Sequence, residues 1–195
     1  MAKEIGGDVK SIIKPDWDGA LAIATVTAAL KSLLVNGLVA FGNVKISLQQ
    51  PDKIAVGENE EGQVNLFLYR VAPHTRLTGG NRAMGNSGKL ALELHYILTA
   101  SSAQDFQTEI LLGRSIQLFH EKPLLTAEDL QRAFKEVPSN HPKRGGKPAP
   151  DHLEEIRITP QFLSFEDMAR LWSALQARYR PSVAYQASAV LLNSD

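Results

Sequence analysis

An α+β fold, with a mixed, mostly antiparallel sheet and helices packed on it, is what the sequence predicts. Three observations carry the prediction. Five segments alternate apolar and polar residues and four show helical periodicity, in the order α-β-β-β-α-α-β-α-β. The first three strand patterns follow one another without the helical crossovers that a doubly wound sheet needs. The segment from Leu90 to Leu98 is partly apolar on both faces, as in a central strand covered from two sides. The chain has 195 residues, enough for one ordinary core. Residues 1–16 are expected to be loosely held and residues 17–193 to form one domain.

The first helix is expected from Trp17 to Asn36, with Gly37 as its stop. Leu21, Ala24, Ala28, Leu30, Leu34 and Val35 supply its apolar positions. Val44, Ile46 and Leu48 alternate up to Pro51. In the strand from Val64 to Val71, Val64, Leu66 and Leu68 face one way and Phe67, Tyr69 and Val71 the other. In the next, Leu90, Leu92, Leu94, Tyr96 and Leu98 oppose Ala91, Glu93, His95 and Ile97. Ser102 with Asp105 resembles a capping box for a second helix. There Phe106, Ile110, Gly113 and Gln117 share one stripe, with Leu112, Ile116 and Phe119 beside it, and Pro123 ends the segment. Thr126 with Asp129 starts a shorter helix through about Phe134. Ile156 and Ile158 mark a strand ending at Pro160. Ser164 with Asp167 caps a last helix, whose stripe is Phe165, Met168, Ala169, Trp172 and Leu175. From Pro181 to Leu192 the alternation returns, with Val183, Tyr185, Ala187, Ala189 and Leu191 on one side. Two long loops, 73–88 and 138–151, are poor in core residues, and loops of that length usually bind something or stay mobile. The second carries Lys143, Arg144 and Lys147.

Composition narrows the function classes. Apolar residues make up 44% and charged residues 22% of the chain, near the average for globular proteins. The 21 Lys and Arg balance the 21 Asp and Glu, so nucleic acid, which recruits a basic excess, is not the expected partner. Without cysteine there is no disulfide, thiolate nucleophile or thiolate metal site. The N-terminal residues lack the early apolar run of a signal peptide. The stretch from Ala20 to Gly42 is apolar enough to suggest a membrane span, but Lys31 and Asn36 sit near its middle. A charge at the bilayer centre costs about 2.5–3.5 kcal/mol. It reads as a buried helix, with the cytoplasm as the expected compartment at assembly; membrane contact is possible but not indicated.

A search for chemistry returns little. Gly88-Lys89 lacks the P-loop pattern, because Ala83 and Leu90 stand where glycine and Ser or Thr belong, and Lys89 opens a strand rather than a helix. The histidines at 74, 95, 120, 141 and 152 show no i, i+4 metal spacing. Glu93 and His95 share a strand face; as an acid–base pair or the start of a metal site they would support a small hydrolase or ligand-binding protein, and otherwise His95 is a half-buried side chain hydrogen-bonded to a neighbour. Gly113 inside a helix costs about 1 kcal/mol and is expected to permit close packing. Trp17 and Trp172 are expected as core or interface anchors. No catalytic residue, cofactor or metal site is expected.

Several segments together resemble one family: VNLFLYRVAP, then GKLALELHYILTA, then LLGRSIQLFHEKPLL, with AIATVTAALKSLL before them and LSFEDMARLWSAL leading to YRPSVAYQASAVLL after. The chain is similar, from about Ala20 to Leu192, to the N-terminal domain of the cap, or tail-terminator, proteins of phage-tail-like contractile injection systems. The positions that carry the resemblance are Asn65, Leu66, Tyr69, Arg70, Leu94, His95, Tyr96, Gly113, Arg114, Trp172 and Tyr185, as core or interface residues. The family pattern departs after Val71, where His74, Thr75 and Leu77 replace an Asn-Pro turn and an Arg-Asn pair. The resemblance implies a fold like that of phage tail terminators and a non-catalytic role. It implies a homohexameric ring that closes the inner tube and sheath, halts polymerisation and joins the two. An adaptor that docks such a particle to a membrane is the alternative.

Overall fold

The computed structural model describes residues 21–54, 61–74, 89–137 and 155–193. Its elements are α1 (Ala22–Leu38) with a 3-10 turn Val39–Phe41, β1 (Lys45–Ser47), a 3-10 turn Pro51–Lys53, β2 (Gln63–Pro73), β3 (Lys89–Ser101), α2 (Gln107–Glu121), β4 (Leu124–Leu125), α3 (Ala127–Glu136), β5 (Ile156–Gln161), α4 (Phe165–Ala174) and β6 (Ser182–Asn193). The six strands form one sheet in the order β1-β2-β3-β6-β5-β4. β1 pairs parallel with β2, Ile46 opposite Val64, and every other neighbour is antiparallel. This is the mixed, mostly antiparallel α+β fold that the alternation predicts. The two-residue β4 is an addition too short to show a period. Trp17, residues 75–88 and 138–154, and with them Lys143, Arg144, Lys147, His141 and His152, lie outside the described residues.

β3 sits centrally because both of its faces are apolar. Leu94, Tyr96 and Leu98 join Val64, Leu66, Tyr185 and Ala187 under α1, α2 and α3 in the main core. Ile97, on the other face, meets Met168 and Trp172 of α4, with Phe67, Tyr69, Leu163 and Leu171 around them. Two β-bulges flank β3. On β2, Leu68 pairs with Tyr96 and Arg70 with His95, so Tyr69 is the extra residue. On β6, Ala187 pairs with Leu94 and Val190 with Leu92. The second bulge shifts the expected alternation: Val190 continues the core face of Tyr185 and Ala187. β5 runs through Pro160 to Gln161 instead of stopping at the proline. Its ladder with β4 covers only Ile156 and Arg157, so Pro160 lies beyond it, where no ladder hydrogen bond is lost on that side.

The helix termini separate two kinds of cap. Thr126 accepts from the Asp129 amide while the Asp129 carboxylate accepts from the Thr126 amide, a complete capping box. Ser164 likewise accepts from the Asp167 amide at 3.1 Å. Both follow the expected pairs. Burial pushes the Asp129 carboxyl up, but hydrogen bonds from Lys122 and Thr126 and the Lys122 charge outweigh it and hold the group below its ordinary value. Ser102 does not cap α2. Its hydroxyl accepts from the Gln104 amide two residues on, and the helix opens from Phe106, held at φ 64°.

The glycines exchange their expected roles. α1 does not stop before Gly37 but continues to Leu38. A Cβ at Gly37 would overlap the Leu118 side chain, so this glycine lets α1 and α2 cross closely. Gly113 has no atom within 4 Å of where its Cβ would stand. The α2 stripe is rotated accordingly: Leu111, Ser115, Leu118 and Phe119 are buried, while Phe106 and Ile110 face solvent. Ser115 tolerates burial because its hydroxyl donates to the Leu111 carbonyl at 2.7 Å. On α4, Met168 and Trp172 form the buried stripe, and Phe165 is exposed.

Candidate functional site

The residues that carry the family resemblance fall into three groups in space. Leu66, Leu94, Tyr96 and Tyr185 are buried in the main core, where Tyr185 meets Phe119 edge-on with ring centres 4.9 Å apart. Tyr96 reaches α1 through a 2.8 Å bond between its hydroxyl and that of Thr27. Burial raises the Tyr96 phenol well above its usual range. Burial alone raises Tyr185. Asn65 acts on backbone: its side-chain amide donates to the carbonyls of Ser47 at 3.2 Å and Gln49 at 2.9 Å, pinning the chain that leaves β1.

A second group lies on the α4 side of the sheet. His95 is 6% exposed, and its Nδ1 lies 2.8 Å from Gln161 Oε1, an acceptor, so Nδ1 carries the proton. Gln161 in turn donates to Gln186. His95 Nε2 stands 3.8 Å from one Glu93 oxygen, and His74 Nε2 stands 4.0 Å from the other. Tyr69 packs beside the His95 ring at 6.0 Å between centres; burial raises its phenol, and the Arg70 charge pulls it back in part. A depression of about 370 Å³ adjoins them, lined among others by Tyr69, Arg70, His95, Gln161 and Phe162. Glu93 does not line it. This depression therefore does not present Glu93 and His95 together, and His95 is hydrogen-bonded to Gln161. Among the described residues no group of three or more His, Cys, Asp or Glu side chains is placed to hold a metal ion.

The third group lies on helices and is split between the two faces of the sheet. Gly113 and Arg114 lie on α2, and Arg114 reaches Glu121 at 2.9 Å. Trp172 is buried under α4, with its indole N–H donating to Ser182 at 3.3 Å, and it connects the interior to an exposed aromatic patch. Phe162 is 93% exposed, Phe165 78% and Tyr179 53%; the Tyr179 ring lies 6.1 Å from that of Phe165 and 6.0 Å from that of Trp172. Sequence reasoning misses this patch because Phe165 sits in register with Met168 and Trp172 and reads as core. The signal present was a second phenylalanine, Phe162, just outside the Ser164 cap.

Comparison with known proteins follows the fold. The chain superposes on the PVC sheath/tube terminator of an extracellular contractile injection system, in its extended state, with a TM-score of 0.59 and 16% identity over 89% of this chain and 57% of that one. It superposes on the tube-terminating cap of the anti-feeding prophage with a TM-score of 0.50 and 14% identity, over 87% of this chain and 54% of that one. The chain thus spans a little over half the length of both terminators. No curated protein matches it. The model of the Pvc16 N-terminal domain matches residues 25–195, from the first turn of α1 through β6, and on that match the chain belongs to the Pvc16 N-terminal domain family.

Proposed function

We propose that this chain is a cap subunit of a contractile injection system: copies of it form a ring on the end of the inner tube and sheath, stop polymerisation and join the two polymers. The observation that carries this reading is the family match over residues 25–195 together with a shared fold in two tube terminators. The physical layout supports it. Apolar side chains stand exposed on both helical layers, as suits a protein that works through its surfaces. A ring needs two different lateral faces on each subunit and a rotation that closes.

The test is assembly of the particle's tube and sheath with and without the chain, read as a length distribution by electron microscopy. The expected outcome is a narrow distribution with the chain and run-on or frayed polymers without it. Polymers of normal, uniform length and intact ends in its absence would overturn the reading.

One observation favours the membrane-docking alternative: Ala22–Phe41 is 20 residues long with mean hydropathy 1.6, enough to cross a bilayer by length and composition. In the fold, however, this helix buries Ala22, Val26, Ala29, Leu30, Leu34 and Leu38 in the main core. Membrane insertion would strip the sheet of its cover. Liposome flotation separates the two readings, and the cap reading expects the chain to remain at the bottom of the gradient.

A further inference from the structure

Among the described residues, two of the exposed apolar patches lie on opposite faces of the sheet. The first is on α2, which covers the main core. Phe106, Ile110 and Gly113 recur at i, i+4 and i+7, so they align on one stripe. Each is locally unfavourable in a lone subunit. Phe106 is 77% exposed and sits at φ 64°, a conformation that side chains with a Cβ rarely adopt. Ile110 exposes nearly half its surface. Gly113 weakens a helix interior while packing against nothing. The flanking charges Asp105 and Glu109 are acidic and exposed, and the nearest base on the helix, Arg114, is paired with Glu121.

The second patch is Phe165 and Tyr179 on the α4 side, anchored through Trp172, with Phe162 exposed three residues before Phe165 in the chain. Its acids are engaged: Asp167 accepts from Ser164, and Glu166 pairs with Arg170. Exposed Arg178 stands next to Tyr179 in the chain.

We infer that the α2 stripe of one copy docks on the α4 aromatic patch of the next, a head-to-tail contact between two copies of this chain. The charges are complementary: the exposed acids Asp105 and Glu109 beside the α2 stripe are matched by the exposed base Arg178 beside the α4 patch. Aromatic anchors are the residue type that dominates interface energetics. The missing Cβ at Gly113 gives the incoming chain access to helix backbone. Because the two patches are different surfaces on opposite sides of the sheet, the contact is heterologous, the type that builds a ring where its rotation closes. The inference rests on the cap reading for the ring but assigns its lateral contact independently.

The test uses two exposed substitutions, Ile110→Glu and Phe165→Glu, with Val71→Glu, an exposed position outside both patches, as control. Association of the full chain is followed by sedimentation velocity, and thermal unfolding confirms that each variant folds. Wild type and Val71→Glu should form higher species. Each of the other two variants should associate on the order of thirtyfold more weakly or worse. Mixing the two crippled variants is the decisive arm. One keeps an intact α4 patch and the other an intact α2 stripe, so the mixture should yield one-to-one pairs that stop there. A variant that associates like wild type, a mixture that gives no pairs, or a wild-type chain that stays monomeric would each overturn the inference. Tube capping is scored in parallel. Wild type that limits tube length while either variant still associates normally removes this contact and leaves the cap reading standing.

Discussion

Thr27 has one hydroxyl proton, and it donates it to the Ile23 carbonyl at 2.9 Å. Tyr96 must therefore be the donor in the 2.8 Å contact between the two hydroxyls. The asymmetry predicts unequal costs. Thr27→Val leaves the Tyr96 hydroxyl, fully buried, without its acceptor and should destabilise by about 1–3 kcal/mol. Tyr96→Phe removes the donor but leaves Thr27, half-buried, bonded to its own helix, and should cost about 0.5–1.5 kcal/mol. Urea denaturation of both variants checks the order; a larger loss for Tyr96→Phe would contradict the donor assignment. At this scale the sequence was legible in part. The alternation placed Leu94, Tyr96 and Leu98 on one face and His95 on the other, as found. The partner of each polar group was not legible, because Thr27 and Gln161 come from segments 69 and 66 residues away, and strand period carries no information about what crosses above it.

Among the elements, two helical glycines should respond with opposite signs to the same change. At Gly37, alanine gains about 1 kcal/mol of helix propensity but its methyl overlaps Leu118, and overpacking costs about 1–3 kcal/mol; the net expectation is destabilisation. At Gly113 the space is open, and alanine should stabilise the dissociated chain by about 1 kcal/mol. Thermal unfolding of Gly37→Ala and Gly113→Ala at concentrations below association checks both signs. The sequence suggests the reverse assignment for understandable reasons. A glycine after a run of helix formers resembles a stop, and the helix crossing at Gly37 depends on where α2 lies. The phase of α2 was disguised in the same way. Its solvent stripe carries Phe106 and Ile110, while its buried stripe carries Ser115, a polar residue made harmless by its bond to the Leu111 carbonyl. By contrast α3 and α4 begin where Thr126 and Ser164 indicate, because a capping pair is a local interaction that needs nothing from the rest of the fold.

For the whole molecule, the topology predicts a gradient of protection. β3 is hydrogen-bonded on both edges and covered by helices on both faces, so its amides from Leu94 to Leu98 should exchange last, near the global unfolding free energy. β1 and the two-residue β4 lie at the sheet margins and should exchange first. Hydrogen exchange with mass spectrometry reads this directly, and early exchange of β3 would contradict the two-faced packing. The overall architecture was legible because strand alternation and helix caps are short-range signals; the bulges were not, since an extra residue leaves composition unchanged and only breaks the phase. One of them has a particular result. In a regular strand, residues adjacent in the chain face opposite sides of the sheet. The insertion at Tyr69 instead lets Tyr69 and Arg70, side by side in sequence, both wall the same hollow beside His95. Excising Tyr69 alone would leave Leu68 opposite Tyr96 and Arg70 opposite His95 as before, in an unbroken ladder. The hollow is thus a one-residue embellishment of an otherwise ordinary hairpin, gained or lost by a single codon without re-registering a strand.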